Sequence, residues 1–163
     1  MSKKILILLI VVLLLTVGCG NKNVDTKSNS KNGTLTCTKI ETDDDGYKTE
    51  EVLKTTYKNN IVKTSNSVST IEVDPVYLDF TFQIMQGLAT NLNEVDGVKV
   101  NVKKESSKIV TTTNIELDKV DVAKIKEVYG ELADDDALDA YNKKDVNINK
   151  YKAELIDEGY TCN

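Results

Sequence analysis

Val98, Val100 and Val102 alternate with Lys99, Asn101 and Lys103, and Ile109, Thr111, Thr113, Ile115 and Leu117 repeat the same two-residue period. Side chains of an extended chain point to opposite faces in turn, so each run gains one apolar and one polar face. Glu105-Ser106-Ser107 between them turns the chain, and the two runs make a hairpin. A sheet built on such a hairpin must cover its apolar face with another element.

A longer set of strands precedes it. Thr34–Ile40 is a short strand with Leu35 and Cys37 on one face, and residues 41–46 (Glu-Thr-Asp-Asp-Asp-Gly) form a turn in which Gly46 is free to take positive φ. Tyr47–Tyr57 places Tyr47, Leu53 and Tyr57 on one parity and Lys48, Glu50 and Lys54 on the other. Lys58-Asn59-Asn60 is a tight hairpin turn, and Ile61–Val73 returns. The middle of that strand, Thr64 to Thr70, is mostly hydroxyl and amide, which predicts a solvated face or a bulge.

Helical signals follow. Asp74 can accept from free N–H groups at a helix start and Pro75 suits the first helical position. Val76, Phe80, Ile84 and Leu88 recur every fourth residue, with Tyr77, Met85 and Leu92 widening the stripe, so a helix is expected from Pro75 to about Asn91. Asp118 or Asp121 caps another, with Val122, Ile125, Val128 and Tyr129 on its apolar side. Asp134–Tyr141 supplies a further turn or two. Asn149 is expected to cap Lys150–Glu158, with Tyr151, Leu155 and Ile156 inward, before Gly159 stops the helix and Tyr160-Thr161-Cys162 lies beside the first strand. The order predicts an α+β fold: a curved antiparallel sheet of about five strands covered by a long helix, with short C-terminal helices. A closed barrel is the alternative.

The first residues stand outside this fold. Lys3 and Lys4 precede the eleven-residue apolar run Ile5–Leu15, which is shorter than the about 20 residues a membrane span needs. It reads as a signal peptide. Its end, Thr16-Val17-Gly18-Cys19, resembles the lipobox of bacterial lipoproteins. That resemblance implies cleavage between Gly18 and Cys19, thioether lipidation of Cys19 and further acylation in many bacteria; plain secretion and an uncleaved anchor are the alternatives. Stable anchoring takes more than one acyl chain. The expected organisation is a lipoprotein signal peptide at 1–18, a flexible Asn-, Lys- and Ser-rich tether at 19–32, and one α+β domain at 33–163.

Cys37 and Cys162 remain, near opposite ends of that domain. In an exported chain such a pair reads most simply as a disulfide. Two free thiols are the alternative, and a redox or metal role is opposed by the lack of Cys-x-x-Cys and of histidine.

Composition excludes much chemistry. The chain has no histidine, which removes Ser-His-Asp and Cys-His nucleophile systems and His-based metal sites. It has no arginine, no Gly-x-x-x-x-Gly-Lys phosphate loop and no Gly-x-Gly-x-x-Gly fingerprint. Beyond residue 18 there are 19 basic and 26 acidic side chains, a formal charge of −7, which offers no footprint for nucleic acid. No cofactor and no metal are expected. Asp43-Asp44-Asp45-Gly46 and Asp134-Asp135-Asp136 lack the alternating spacing of a calcium loop and read as turn chemistry and as a solvated or helix-terminal face. The seven tyrosines (47, 57, 77, 129, 141, 151 and 160) read as core-edge residues, with a ligand cleft between helix and sheet as the other reading. Thr64-Ser65-Asn66-Ser67 is the remaining candidate recognition surface.

The leader, the polar tether, Gly33-Thr34-Leu35-Thr36-Cys37-Thr38, residues 92–98 (Leu-Asn-Glu-Val-Asp-Gly-Val) and the closing Gly159-Tyr160-Thr161-Cys162 together resemble small lipoproteins of low-GC Gram-positive and wall-less bacteria, the YehR-like lipoproteins among them. The resemblance implies the outer face of the cell membrane and assigns no activity to any residue. The expected function is a membrane-anchored extracellular domain, held by lipid on Cys19, with non-catalytic binding of a small ligand or an envelope protein. The alternatives are a purely structural or accessory envelope lipoprotein and a carboxylate-based hydrolase.

Overall fold

The computed structural model of the chain describes residues 30–129 and 144–163. The elements are β1 (Asn32–Thr42), β2 (Lys48–Lys58), β3 (Ile61–Glu72), α1 (Leu78–Leu92), β4 (Val98–Glu105), β5 (Lys108–Glu116), α2 (Val122–Tyr129), α3 (Ile148–Asp157) and β6 (Thr161–Cys162). The architecture is α+β with one antiparallel sheet in the order β4-β5-β3-β2-β1-β6. It has six strands rather than about five, because the last residues pair with β1 at Cys37 and Thr38. The sheet keeps two edges, β4 and β6, and is not closed.

Local chemistry sets the turns. Asn59 and Asn60 both adopt positive φ (54° and 63°), the two-residue geometry whose twist suits a β2–β3 hairpin. Asp43 Oδ1 accepts from the N–H groups of Asp45 and Tyr47, at 3.1 and 2.8 Å, so that aspartate organises the turn between β1 and β2. Gly97 enters β4 at φ 78°, where a Cβ would stand 2.7 Å from the Val120 nitrogen and 2.8 Å from the Glu116 carbonyl oxygen. Only glycine fits that approach.

The expected long covering helix is not found. α1 begins at Leu78, three residues after Pro75, because Asp74 Oδ1 accepts from Val76 N–H and Tyr77 N–H bonds back to the Asp74 carbonyl, making a turn there. Its buried stripe is Leu78, Thr81, Met85, Ala89 and Leu92, rotated from the expected 76/80/84/88 set; Val76 and Phe80 are exposed. α1 packs mainly on β4. Asn93 fastens its end there, donating to the Val100 carbonyl and accepting from Val100 N–H, both at 2.8 Å.

The remaining helices are short. Asp121 rather than Asp118 caps α2, its Oδ1 accepting from Lys124 N–H at 3.2 Å. The cap of α3 is Asn147, not Asn149: Asn147 Oδ1 accepts from the N–H groups of Asn149 and Lys150. An isolated bridge from Asn147 to Ile61 fixes where α3 starts against the sheet. The helical turn expected at Asp134–Tyr141 lies outside the described residues.

Two apolar clusters hold these parts together. The larger includes Leu35, Leu53, Val62, Leu92, Val98, Ile115, Ile148 and Leu155. The smaller gathers Leu78, Met85 and Ile109 with Ile71, Val73 and Phe82. Fully burying one such side chain stabilises by about 1.5–3 kcal/mol.

Candidate functional site

The strand centre has one solvated face, on which Val68 is exposed, and the register with β2 slips by the extra residue Lys63 just before Thr64. Ser65, Ser67 and Ser69 point to the other, covered face and are nearly inaccessible. Register then assembles a polar patch. One row across the sheet reads Lys39, Glu51, Ser69, Thr111 and Val102; the next reads Cys37, Leu53, Ser67, Thr113 and Val100; the third reads Leu35, Thr55, Ser65, Ile115 and Val98. Direct cross-strand neighbours have Cβ atoms about 4.5–5.5 Å apart, so the hydroxyls are contiguous. The patch lies on β2, β3 and β5, between the β4 side that α1 covers and the β1–β6 side near α3.

Four of these hydroxyls are costly to the fold. Thr55 is 0% exposed, Ser69 2%, Thr111 8% and Thr113 2%, and their side-chain oxygens find no hydrogen-bond partner among the described residues. A buried hydroxyl left unsatisfied costs about 1–3 kcal/mol. Apolar residues of similar shape would avoid that cost, so this patch works against stability.

A carboxylate borders the patch. Glu51, 7% exposed, stands beside Ser69 in register and accepts a 2.6 Å hydrogen bond from the Tyr160 hydroxyl. Burial raises its pKa above the ordinary carboxylate value against the opposing effects of Tyr160 and Lys39. Burial also raises both neighbouring phenols: Tyr151 to about 12, and Tyr160 further, with the Glu51 charge adding to the rise. Both tyrosines are therefore neutral donors near pH 7. Tyr151 reaches Ser65, oxygen to oxygen, at 3.5 Å. Glu158 acts electrostatically on Glu51, Glu154, Tyr151 and Tyr160 in the same sense, raising each pKa.

The hydroxyls and the carboxylate gather hydrogen-bonding groups on one face of the sheet. Glu51 is engaged by Tyr160 and makes no hydrogen bond to Ser69, so the serine lacks an adjacent base to activate it. Among the described residues no group of three or more Asp, Glu or Cys is placed to hold a metal ion.

The other candidates fall elsewhere. Cys37 and Cys162 are register partners at the β1–β6 edge and their sulfurs are joined at 2.05 Å. Asp43–Asp45 is the turn described above. Asp134–Asp136, Cys19 and Tyr141 lie outside the described residues. Of the other tyrosines, Tyr47 is half-buried and donates to Asp74 at 3.1 Å, while Tyr77 is exposed. Glu51, Ser69, Thr111 and Thr113 were not singled out by sequence, although the parity of Ser65, Ser67 and Ser69 marks them as one face.

With the fold in view, two solved structures align with it. The NMR structure of the E. coli YehR protein matches with a TM-score of 0.58 and 16% identity, covering 80% of this chain and 91% of that one. This is a YehR-like fold. The NMR structure of a protein from Streptococcus pneumoniae TIGR4 matches with a TM-score of 0.51 and 16% identity, covering 90% of this chain and 94% of that one. At such identity the YehR-like fold is what is shared, and function is argued from the site. No protein-family model matches the sequence, and no curated protein matches it.

Proposed function

We propose that this chain is a membrane-anchored extracellular lipoprotein whose domain binds a small polar ligand on the covered face of the sheet, without catalysis. One observation supports the binding reading: Ser69, Thr111 and Thr113 are buried without hydrogen-bond partners among the described residues, near the buried Glu51. Stability alone does not favour such residues, whereas a ligand would satisfy them. The lipobox-like Gly18-Cys19 supports the anchor, with Cys19 carrying the lipid and the domain on the outer face of the cell membrane. No helix among the described residues is long and apolar enough to cross a membrane.

An envelope protein is the second partner reading, favoured by the exposed Val76, Tyr77 and Phe80 at the start of α1. The test is thermal unfolding of the purified chain against small polar compounds, together with crosslinking on intact cells. A compound that raises the midpoint for wild type but not for Thr113→Val supports the ligand reading. A crosslinked protein partner with no stabilising compound supports the second. Release of a Cys19→Ser variant from the membrane after export supports the anchor; retention overturns it.

A further inference from the structure

We infer that Asn93 serves as a surrogate strand: its carboxamide closes the β4 edge of the sheet and keeps that edge from pairing with the β4 of a second copy of the chain. This stands apart from the ligand reading above and concerns how copies of the chain meet.

β4 has a neighbouring strand, β5, on one side only. In an antiparallel pair every second residue turns both its N–H and its C=O away from the partner strand. Val100 is such a residue, since both its groups go to Asn93 rather than to Thr113, its register partner. Val98, Val102 and Lys104 share that parity, and Val98 N–H is taken by the Val95 carbonyl at 3.1 Å. Outward groups of this kind are the template on which a further strand adds.

The bonds at Asn93 copy those of a strand. A carboxamide carries the donor and the acceptor of a peptide group. Asn93 Nδ2 donates to the Val100 carbonyl and Asn93 Oδ1 accepts from Val100 N–H, both at 2.8 Å. A neighbouring strand makes the same double exchange with an edge residue. An incoming strand must therefore displace both bonds before it pairs at Val100.

The rest of the strand and the far edge are guarded by other means. Lys103 and Lys104 occupy the stretch of β4 beyond Asn93, and Lys104 is paired with Asp79 of α1, its ammonium 5.7 Å from the Phe82 ring centroid. Lysines on an edge oppose self-pairing, because a second copy brings like charges together. On β1, Thr36 exchanges both backbone bonds with Asn163, and the cystine holds β6 beside it. Each edge thus carries groups of this chain where a strand would add, and at Val100 the group is one side chain.

The test is sedimentation of the purified full-length chain in density-matched detergent over a wide range of concentration, for wild type, Asn93→Ala, and Asn93→Ala combined with Lys104→Pro. The inference expects wild type to keep one mass and Asn93→Ala to rise toward twice that mass as concentration increases. The double variant should return to the wild-type mass, because proline removes an outward N–H from the same edge. If Asn93→Ala does not fold, Asn93→Ser takes its place, with a side chain too short to bridge both groups and the same masses expected. A variant that loses stability but keeps the wild-type mass overturns the inference and leaves Asn93 as a fastening of α1 alone. Association that Lys104→Pro leaves intact overturns it too, since the contact then lies elsewhere. Pairing of wild type that Lys104→Pro abolishes also overturns it, since the edge is then open with Asn93 in place.

Discussion

Tyr160 donates its hydroxyl to Glu51 at 2.6 Å, joining residues 109 positions apart in sequence. The bond ties the segment after α3 to the middle strands of the sheet. It also places a neutral donor on a carboxylate that burial would otherwise leave exposed to a low-dielectric surrounding. Hydrogen bonds to charged groups are worth about 1.5–3 kcal/mol. Tyr160→Phe should therefore lower unfolding stability by about 1–3 kcal/mol at pH 7 in urea titration, with a smaller loss at a pH where Glu51 is protonated. An equal loss at both pH values would show that ring packing, rather than the bond, is what the substitution disturbs.

The raised pKa of Glu51 fixes a sign for the pH dependence. The folded state holds this proton more tightly than the unfolded state, so its contribution is fully present below the unfolded value and is lost as pH rises through the folded one. The unfolded carboxyl titrates near about 4.3. Exposed Glu50 and half-buried Glu72 act oppositely: hydrogen bonds from Lys48 and Lys108 hold their pKa values low, and their contributions vanish as pH falls through those values. Glu51→Gln should therefore gain stability relative to wild type as pH rises above the ordinary carboxylate range. A pH-independent difference between the two would refute this assignment.

Thr113→Val removes a buried hydroxyl that has no partner among the described residues and keeps the side chain's shape. Its expected effect is an increase in stability of about 1–2 kcal/mol, measured by denaturant unfolding. A gain at this site with a loss of ligand response is the pattern of a residue retained for binding. A loss of stability would mean the hydroxyl is satisfied in solution, most simply by water.

Cys37 and Cys162 close a loop with a sequence separation of 125, for which the chain-entropy relation gives about 5 kcal/mol. Replacing both by serine should lower the unfolding free energy by about 3–5 kcal/mol, and β6 should lose protection in hydrogen exchange before the sheet centre does. Thiol titration in a Cys19→Ser background should find two thiols only after reduction and unfolding.

The strands were legible because their neighbours enforce a strict period: Val98, Val100 and Val102 are read inward by sequence and face the covered side in the fold. The Asn59-Asn60 turn and the Gly159 stop are likewise local chemistry. α1 misled because Val76 and Phe80 share helical spacing with Ile84 and Leu88, while the Asp74 turn delays the helix and rotates its buried face. Two residues of β6 are too few to announce a strand; pairing with Cys37 makes them one. The buried polar patch was hidden for a deeper reason. A polar run normally signals solvent, and only the folded chain buries Ser65, Ser67 and Ser69, with Tyr151 of α3 reaching Ser65. Burial of these serines depends on partners far along the chain, which no local window contains.

The bond between Cys37 and Cys162 also decides how this molecule answers a pull. Tension applied between residue 30 and the end of the chain passes through the cystine, and the loop it closes bears none of the extension. Only about eight residues outside that loop could lengthen, each by at most about 3.3–3.6 Å. A pull on the N-terminal side would thus fall first on the pairing of residues 32–36 with β2, while the strands enclosed by the cystine lie outside its path.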